Sequence, residues 1–248
     1  MNRIVVDRNI KSNNLKATIT NNKLSIIINN DCDILINNND INEIEIVVKK
    51  GEVNILRKTT LMVKMVINIK VYDACVSVNN IIFDGKDEDI NVSLLGKNSK
   101  IKLNNSIITN SEKMVKVNID HLNNNSKSVV YNCGATFNDG SIDFDITTKV
   151  KKGVKGCFVD QDSKIICLSN HEKNIIKPVL LIDEYDVNAR HAAFIGKFNK
   201  EQVFYLQTRG IAIKDAYNLL LNGFLTTSLD ISSLEKEGLK EKTLNYWR

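Results

Sequence analysis

The chain of 248 residues has few of the residues that mark several large classes of protein. It has a single proline, Pro178, and only three histidines, which are too few and too scattered for an obvious zinc site. No stretch approaches the roughly 18 uninterrupted apolar residues that span a membrane as a helix, so we expect no membrane span.

The short motifs of the common enzyme classes are also missing. There is no GxxxxGK[ST] phosphate-binding loop, no GxGxxG, no GxSxG and no HExxH sequence. We therefore expect that the chain is no enzyme in its own right, and in particular no ATPase or hydrolase.

The cysteines indicate a reducing compartment. They form no CxxC pair and are an odd number, which indicates free thiols rather than disulfides. Residues 1–7 lack the apolar segment of a signal peptide, so we expect a cytoplasmic protein. We expect three of the five to be small, buried hydrophobic residues, namely Cys32, Cys75 and Cys133.

Charge excludes one class of partner. The net charge is +5, and lysines alternate with acidic residues along the sequence without forming a basic stripe. Because no aromatic stacking platform is evident either, we expect no nucleic-acid partner.

From about residue 15 to residue 182, apolar and polar residues alternate with a period of two, as in Leu24/Ile26/Ile28 and Ile142/Phe144/Ile146. This pattern, rich in β-branched residues, predicts strands that bury one face. Asn and Asp tolerate left-handed backbone conformations and so predict the turns between strands. The predicted turns are residues 29–31, 37–40, 79–80, 84–85, 104–105, 123–125 and 138–140.

Many short strands with Asn-rich turns fit either a β-solenoid or a β-sandwich. Asn side chains at solenoid turns can stack in ladders, although no strict repeat length is visible. After Phe198 the pattern is helical, with Asn199 and Gln202 predicting a capping box. The predicted helices cover about 201–207, 213–222 and 232–246, the second ending at Gly223 and the third bending near Gly238. The second would place Ala216, Leu219 and Leu220 on one face.

One segment carries a more specific pattern. It contains Lys177-Pro178, then Asp186-Val187, His191-Ala-Ala, Gly196, Glu201-Gln202-Val-Phe204-Tyr205 and Arg209-Gly210-Ile211. Ala216 and the run from Leu219 to Phe224 continue it. This ordered set resembles the closing signature of the SufB/SufD family, the scaffold proteins of iron–sulfur cluster assembly.

The resemblance implies a mainly β fold. This would be a right-handed parallel β-helix over residues 1–198 with a small C-terminal helical segment over 199–248. The chain would be a short member without the N-terminal helical region that the family usually carries. A β-solenoid with a structural or binding role and no metal chemistry is the alternative.

The resemblance also implies partners. The chain would be a scaffold subunit acting with a SufC-like ABC-type ATPase, with a cysteine desulfurase as the sulfur source. It would form a homodimer or pair with a SufB- or SufD-type paralogue. The family's ATPase-docking surface matches Phe204, Tyr205, Arg209, Leu220 and Phe224. Alternatively, Arg209 caps carbonyl groups at the end of the first helix.

A transient iron–sulfur cluster would be held at a subunit interface. His191 matches a family histidine implicated in holding it, and a neutral imidazole is a competent ligand of iron. The alternative for His191 is a histidine satisfied between the last coil and the helices. SufB-type relatives carry a cysteine before an Asp-Ser pair, whereas Gln161 precedes Asp162-Ser163 here. This departure makes the segment more similar to SufD, or else a thiol role falls to Cys157 or Cys167.

Overall fold

A computed structural model describes residues 3–37, 41–59, 64–84, 86–170 and 173–245. These residues form strands followed by three helices. The strands are β1 (Ile4–Val6), β2 (Ile10–Lys11), β3 (Leu15–Thr20), β4 (Lys23–Ile28), β5 (Cys32–Ile36), β6 (Glu43–Thr59), β7 (Met65–Phe83), β8 (Glu88–Leu94), β9 (Lys100–Thr109), β10 (Glu112–His121), β11 (Lys127–Thr136), β12 (Ser141–Val150), β13 (Cys157–Cys167), β14 (Ile175–Ile182) and β15 (Val187–Gly196). The helices are α1 (Lys200–Thr208), α2 (Ile213–Thr226) and α3 (Ser233–Asn245).

The strands wind into a parallel β-solenoid of about seven turns, which confirms the solenoid and excludes the sandwich. Face A has the strand order β14-β12-β10-β8-β7-β6-β4-β3-β2. Face B contains β1, β5, the second halves of β6 and β7, and β9, β11, β13 and β15. The continuous strand β6 passes from one face to the other at Gly51, whose φ of 102° suits glycine. Only the β2–β3 and β3–β4 pairs are antiparallel among the described strands.

Stacked apolar rows fill the interior. On face A, Ile26, Ile46, Ile69, Val92 and Ile119 lie in register on successive strands, each at most 1% exposed. β-Branched side chains pack well on a pleated surface, and burying each one stabilises the fold by roughly 1.5–3 kcal/mol. Each coil therefore depends mainly on the coils directly above and below it.

The coils lengthen along the chain, which explains why no fixed repeat is visible in the sequence. Register partners on face A are 20 residues apart for Lys23 and Glu43, and 32 residues apart for Asp145 and Lys177. The strands keep their pairing while the connecting turns grow.

The predicted turns are confirmed at residues 29–31, 123–125 and 138–140, where Asn125 and Asn138 have φ values of 57° and 56°. They are wrong at 79–80 and 104–105, which lie inside β7 and β9. These four asparagines are fully buried and pair with asparagines of neighbouring coils. The ladders therefore form within strands rather than at turns. Residues 38–40 and Gly85 of the other predicted turns lie outside the described residues.

The helices follow the predicted order with corrected ends. The N-cap of α1 is confirmed, since Asn199 Oδ1 accepts from the Glu201 N–H at 2.8 Å. α2 continues through Gly223 to Thr226, because Leu225, which lies beyond the predicted stop, packs on the solenoid in the same cluster as Leu221. α3 runs unbroken through Gly238 to Asn245, and Tyr246 lies outside the described part of the chain.

The helical segment packs on the outer side of face B. Leu221, Leu225 and Leu239 share a hydrophobic cluster with Ile81 and Ile108 of the strands. The segment between α2 and α3 is also bonded to the strands. The Asp230 carboxylate in this segment accepts hydrogen bonds from Lys102 Nζ at 2.9 Å and from Ser77 Oγ at 3.0 Å. The last strand ends at Gly196 and the first helix begins at Lys200. None of the described helices is long and apolar enough to cross a membrane.

Candidate metal site and docking surface

The solenoid has an open end at its last coil. Among the described strands, β14 pairs only with β12 and β15 only with β13, so each has a free edge. Such an edge presents unpaired N–H and C=O groups that can pair with another chain. Pro178 lies in β14, where a residue without an N–H group is tolerated because the strand is at the edge.

His191 lies at this open end. It is in register with Gln161 of β13, at a strand position whose side chains point into the solenoid interior. It is nevertheless exposed, because no further described coil covers it. Its ring makes no hydrogen bond to any described residue, so the structure does not place it as a histidine satisfied against the helices.

An ion pair anchors the strand beside His191. The Arg190 guanidinium donates to the Asp160 carboxylate through Nε at 2.8 Å and Nη2 at 2.7 Å. Asp160 is only 4% exposed, and this bidentate geometry is the strong form of an arginine–carboxylate contact. The backbone that carries His191 is therefore held to β13 by more than its ladder of hydrogen bonds.

Gln161, directly beneath His191, is a site residue whose role could not be predicted from the sequence. Its side chain is 1% exposed, and Nε2 donates to Thr148 Oγ1 at 2.8 Å and to the Val179 carbonyl at 3.4 Å. Oε1 is buried without a hydrogen-bond partner. In the sequence, position 161 was notable only because it lacks the cysteine that SufB-type relatives carry before the Asp-Ser pair.

The two candidate thiols lie at opposite ends of β13. Cys157 is 2% exposed, and its Sγ lies 3.4 Å from Ser126 Oγ. Cys167 is partly exposed and accepts from Asn174 Nδ2 at 3.3 Å. Counted along the strand from Gln161, they are about 13 Å and about 20 Å away at 3.3 Å per residue. Within one chain, the fold does not bring either thiol to His191.

The described residues contain no group of three or more His, Cys, Asp or Glu side chains placed to hold a metal ion. His191 and the two thiols therefore do not form a complete ligand set in a single chain. Any cluster bound at His191 needs donors from elsewhere.

Of the three other cysteines, which were predicted to be buried, two are buried and one is exposed. Cys32 and Cys133 are buried, and burial raises the pKa of each thiol to about 11, so neither is a reactive thiolate. Cys75 is exposed, which contradicts the prediction of a buried residue. It occupies an outward-facing position near the start of the face B half of β7.

α1 displays much of the predicted docking surface. Phe204 is 67% exposed and Tyr205 is 57% exposed. The Arg209 guanidinium lies 5.3 Å from the centroid of the Tyr205 ring and donates to its hydroxyl at 3.2 Å. Its side chain therefore contacts an aromatic residue, while the backbone N–H of Arg209 closes the helix end on the Leu206 carbonyl.

A groove continues this surface between α2 and the open end. It has a volume of about 600 Å³ and its lining includes Phe194, Phe198, Leu219, Leu220 and Phe224. Leu219 is 44% exposed, whereas Ala216, which was predicted to lie on the same helix face, is buried. Leu220 and Phe224 are partly buried, and Phe224 packs edge to face on Phe198 at a centroid distance of 6.3 Å.

The described residues define a parallel β-solenoid whose last coil leaves the edges of β14 and β15 unpaired and whose helices pack on face B. The chain belongs to the SufB/SufD family, because residues 57–224 match the model described as "SUF system FeS cluster assembly, SufBD core domain".

Individual relatives match shorter parts of the chain. The "Iron-sulfur cluster assembly protein SufD" of Bacillus subtilis is 32% identical over 127 residues, which are 51% of this chain and 29% of that protein. The protein of the same name from Escherichia coli is 38% identical over 68 residues, 27% of this chain and 16% of that protein. "Protein ABCI7, chloroplastic" of Arabidopsis thaliana is 28% identical over 109 residues, 44% and 23% of the two chains. The chain thus spans less than a third of each of these relatives.

Proposed function

We propose that the chain is a scaffold subunit for iron–sulfur cluster assembly, with His191 as a ligand of the nascent cluster. The cluster is the cargo of the protein rather than its permanent cofactor. The observation that carries the proposal is the exposed, unpartnered imidazole at the open end of a solenoid that belongs to this family. A neutral imidazole nitrogen can donate its lone pair to iron.

A second subunit supplies the remaining ligands. One imidazole cannot complete the coordination of a cluster, and the free edges of β14 and β15 are suited to pairing with a homologous subunit, either a second copy or a paralogue. Cys167 is the better placed thiol, because a thiolate ligand must be accessible and Cys157 is closed in by Ser126 and three carbonyl groups.

Energy and sulfur come from other proteins. The sequence has no phosphate-binding loop, so an ABC-type ATPase docked on the helical segment hydrolyses ATP, and a cysteine desulfurase delivers sulfur. The exposed aromatic side chains of α1 and the groove beside α2 support the docking of the ATPase, since exposed apolar patches mark interaction sites.

The experiment is anaerobic reconstitution with iron, a sulfur source and the ATPase partner, followed by visible absorption and iron analysis. We expect His191→Ala to lower cluster content by about tenfold or more, since even the loss of an outer-sphere partner costs a metal site that much. Asn188→Ala, at an exposed position of the same strand, is the matched control. Equal cluster content in the His191→Ala and wild-type proteins contradicts the ligand role.

The same assay separates the thiols. We expect Cys167→Ser to reduce the yield more than Cys157→Ser, because only Cys167 is accessible without opening the coil. The opposite order would place the thiol ligand at Cys157.

A further inference from the structure

The orientation of the Gln161 amide is set by its contacts. The Val179 carbonyl can only accept, so the end of the amide that faces it at 3.4 Å must be the NH2 group. That group also contacts Thr148 Oγ1 at 2.8 Å. Oε1 therefore points to the other side, where it is buried and unpartnered. A buried carbonyl oxygen without a donor costs roughly 1–3 kcal/mol.

Only one of the two side chains in register with Gln161 can satisfy Oε1. Gln161 pairs with Val130 in the coil beneath and with His191 in the coil above. In-register residues on neighbouring strands are about 4.8 Å apart and point to the same side. Val130 has no side-chain donor. The His191 imidazole has one, is exposed, and makes no hydrogen bond that would have to break.

We propose that Gln161 is a positioning residue for His191. Its Oε1 accepts a hydrogen bond from one ring nitrogen of His191, which fixes the tautomer and leaves the lone pair of the other nitrogen free. The iron-binding consequence rests on the proposed function, whereas the hydrogen bond needs no metal and forms when the exposed ring of His191 turns toward Oε1. Ring N–H donation to a fixed acceptor is how proteins orient histidine ligands.

The test is long-range 1H–15N correlation spectroscopy of the metal-free protein labelled with 15N-histidine. It is recorded near pH 8, above the ordinary imidazole pKa of about 6.5. The chain has three histidines, and the spectrum of His191→Ala assigns the His191 signals. We expect one tautomer of His191 to dominate in the wild-type protein. We expect Gln161→Met, which keeps the volume but removes the acceptor, to change the tautomer ratio by about two- to tenfold.

A further variant separates positioning from packing. Gln161→Asn keeps the amide but shortens its reach, and should shift the ratio as Gln161→Met does; it carries the test if Gln161→Met does not fold. A tautomer ratio that is the same in wild-type, Gln161→Met and Gln161→Asn proteins overturns the proposal.

The two proposals fail separately. If the tautomer responds to Gln161 but His191→Ala assembles a normal cluster, the positioning holds and the ligand role fails. If His191→Ala loses the cluster while the tautomer ignores Gln161, the ligand role stands and the positioning fails.

Discussion

Two histidines of this chain occupy opposite environments. His191 is exposed at the open end, whereas His121 is fully buried, with Nδ1 2.7 Å from Ser126 Oγ and Nε2 2.8 Å from Ser128 Oγ. Burial lowers the pKa of His121 to about 4. His121 is therefore a neutral, structural histidine, and its polar atoms are satisfied by hydroxyl groups rather than by charges.

This buried histidine makes stability depend on pH. Between the unfolded pKa of about 6.5 and the folded pKa of about 4, the unfolded chain binds more protons, so stability falls as the pH falls. A full shift of this size corresponds to about 3 kcal/mol. We expect the difference in free energy of urea unfolding between pH 7 and pH 4.5 to be smaller in His121→Gln than in the wild-type protein.

The control for this titration is His191→Gln, which makes the same substitution at an exposed histidine and leaves the buried site intact. Carboxylates contribute equally to all three proteins. An identical loss of stability on acidification in His121→Gln and wild type would show that His121 does not titrate as its burial requires.

Within the strands, one hydrogen-bonded row crosses five coils through the interior of face B. Arg57 Nε donates to Asn80 Oδ1 at 3.0 Å and Asn80 Nδ2 donates to Asn105 Oδ1 at 2.8 Å. The row continues from Asn105 Nδ2 to Asn132 Oδ1 at 2.7 Å and from Asn132 Nδ2 to Ser163 Oγ at 2.9 Å. Each amide satisfies its neighbours, which makes the row cooperative and sensitive to a gap.

A gap in the middle of this row should be costly. Asn105→Ala leaves a donor of Asn80 and an acceptor of Asn132 buried without partners, and we expect it to destabilise the protein by about 2–4 kcal/mol. Asn91→Ala is the matched control, because Asn91 sits in a similar ladder with Asn68 and Asn118 but is partly exposed to water. We expect it to cost less than about 1 kcal/mol. Equal costs in urea unfolding would contradict a special role for the buried row.

The helices divide into packing residues and exposed residues, and the two sets should respond differently to mutation. We expect Phe204→Asp or Leu219→Asp to weaken binding of the ABC-type ATPase by about 30-fold or more, as loss of an interface hot spot does. The melting temperature should stay close to wild type, because both side chains are exposed. Calorimetric titration and thermal unfolding measure the two effects.

Two control variants separate loss of ATPase binding from loss of folding. Leu234→Asp changes a side chain of α3 that is 79% exposed and lies outside the groove, so ATPase binding should persist. Leu221→Asp places a charge at a position that is 0% exposed in the cluster on face B, so it should destabilise the fold. ATPase binding that survives both Phe204→Asp and Leu219→Asp would move the docking surface elsewhere.

For the molecule as a whole, the last coil has the longest unpaired strand edges among the described residues. Ile195 is 43% exposed on β15, and strands β14 and β15 leave two edges of eight and ten residues without a described partner. We expect the chain to dimerise through this end, and Ile195→Glu to shift the dimer toward monomer by at least about tenfold in dissociation constant. Analytical ultracentrifugation over a range of concentrations measures the shift.

Val5→Glu provides the control at the opposite end of the solenoid, where Val5 has a similar exposure of 45%. It should leave the association unchanged. A wild-type chain that stays monomeric both alone and when mixed with a SufB- or SufD-type paralogue would contradict pairing through the last coil.

Features set by neighbouring residues could be predicted from the sequence. The alternation around Ile26 and Ile146 predicted strands, and Asn125 and Asn138 predicted turns. Asn199 predicted the start of α1. These predictions succeeded because alternating burial, left-handed turn residues and helix caps depend only on residues close in sequence. The pattern from Lys177 to Phe224 also located the family. α2 is longer than predicted and continues past Gly223. The free energy gained by packing its apolar side chains on face B exceeds the cost of a glycine inside a helix.

The remaining features depend on register between residues 20 to 32 positions apart along the chain. Because of that register, residues 79–80 and 104–105 lie in buried ladders rather than in the predicted turns. The same register keeps Cys157 and Cys167 away from His191 and places Gln161 directly beneath His191. No local pattern carries this information, because the coils lengthen along the chain and one change in turn length alters which side chains meet. The set of side chains that meet at the open end is therefore a consequence of coil stacking, which the packing of the whole solenoid determines.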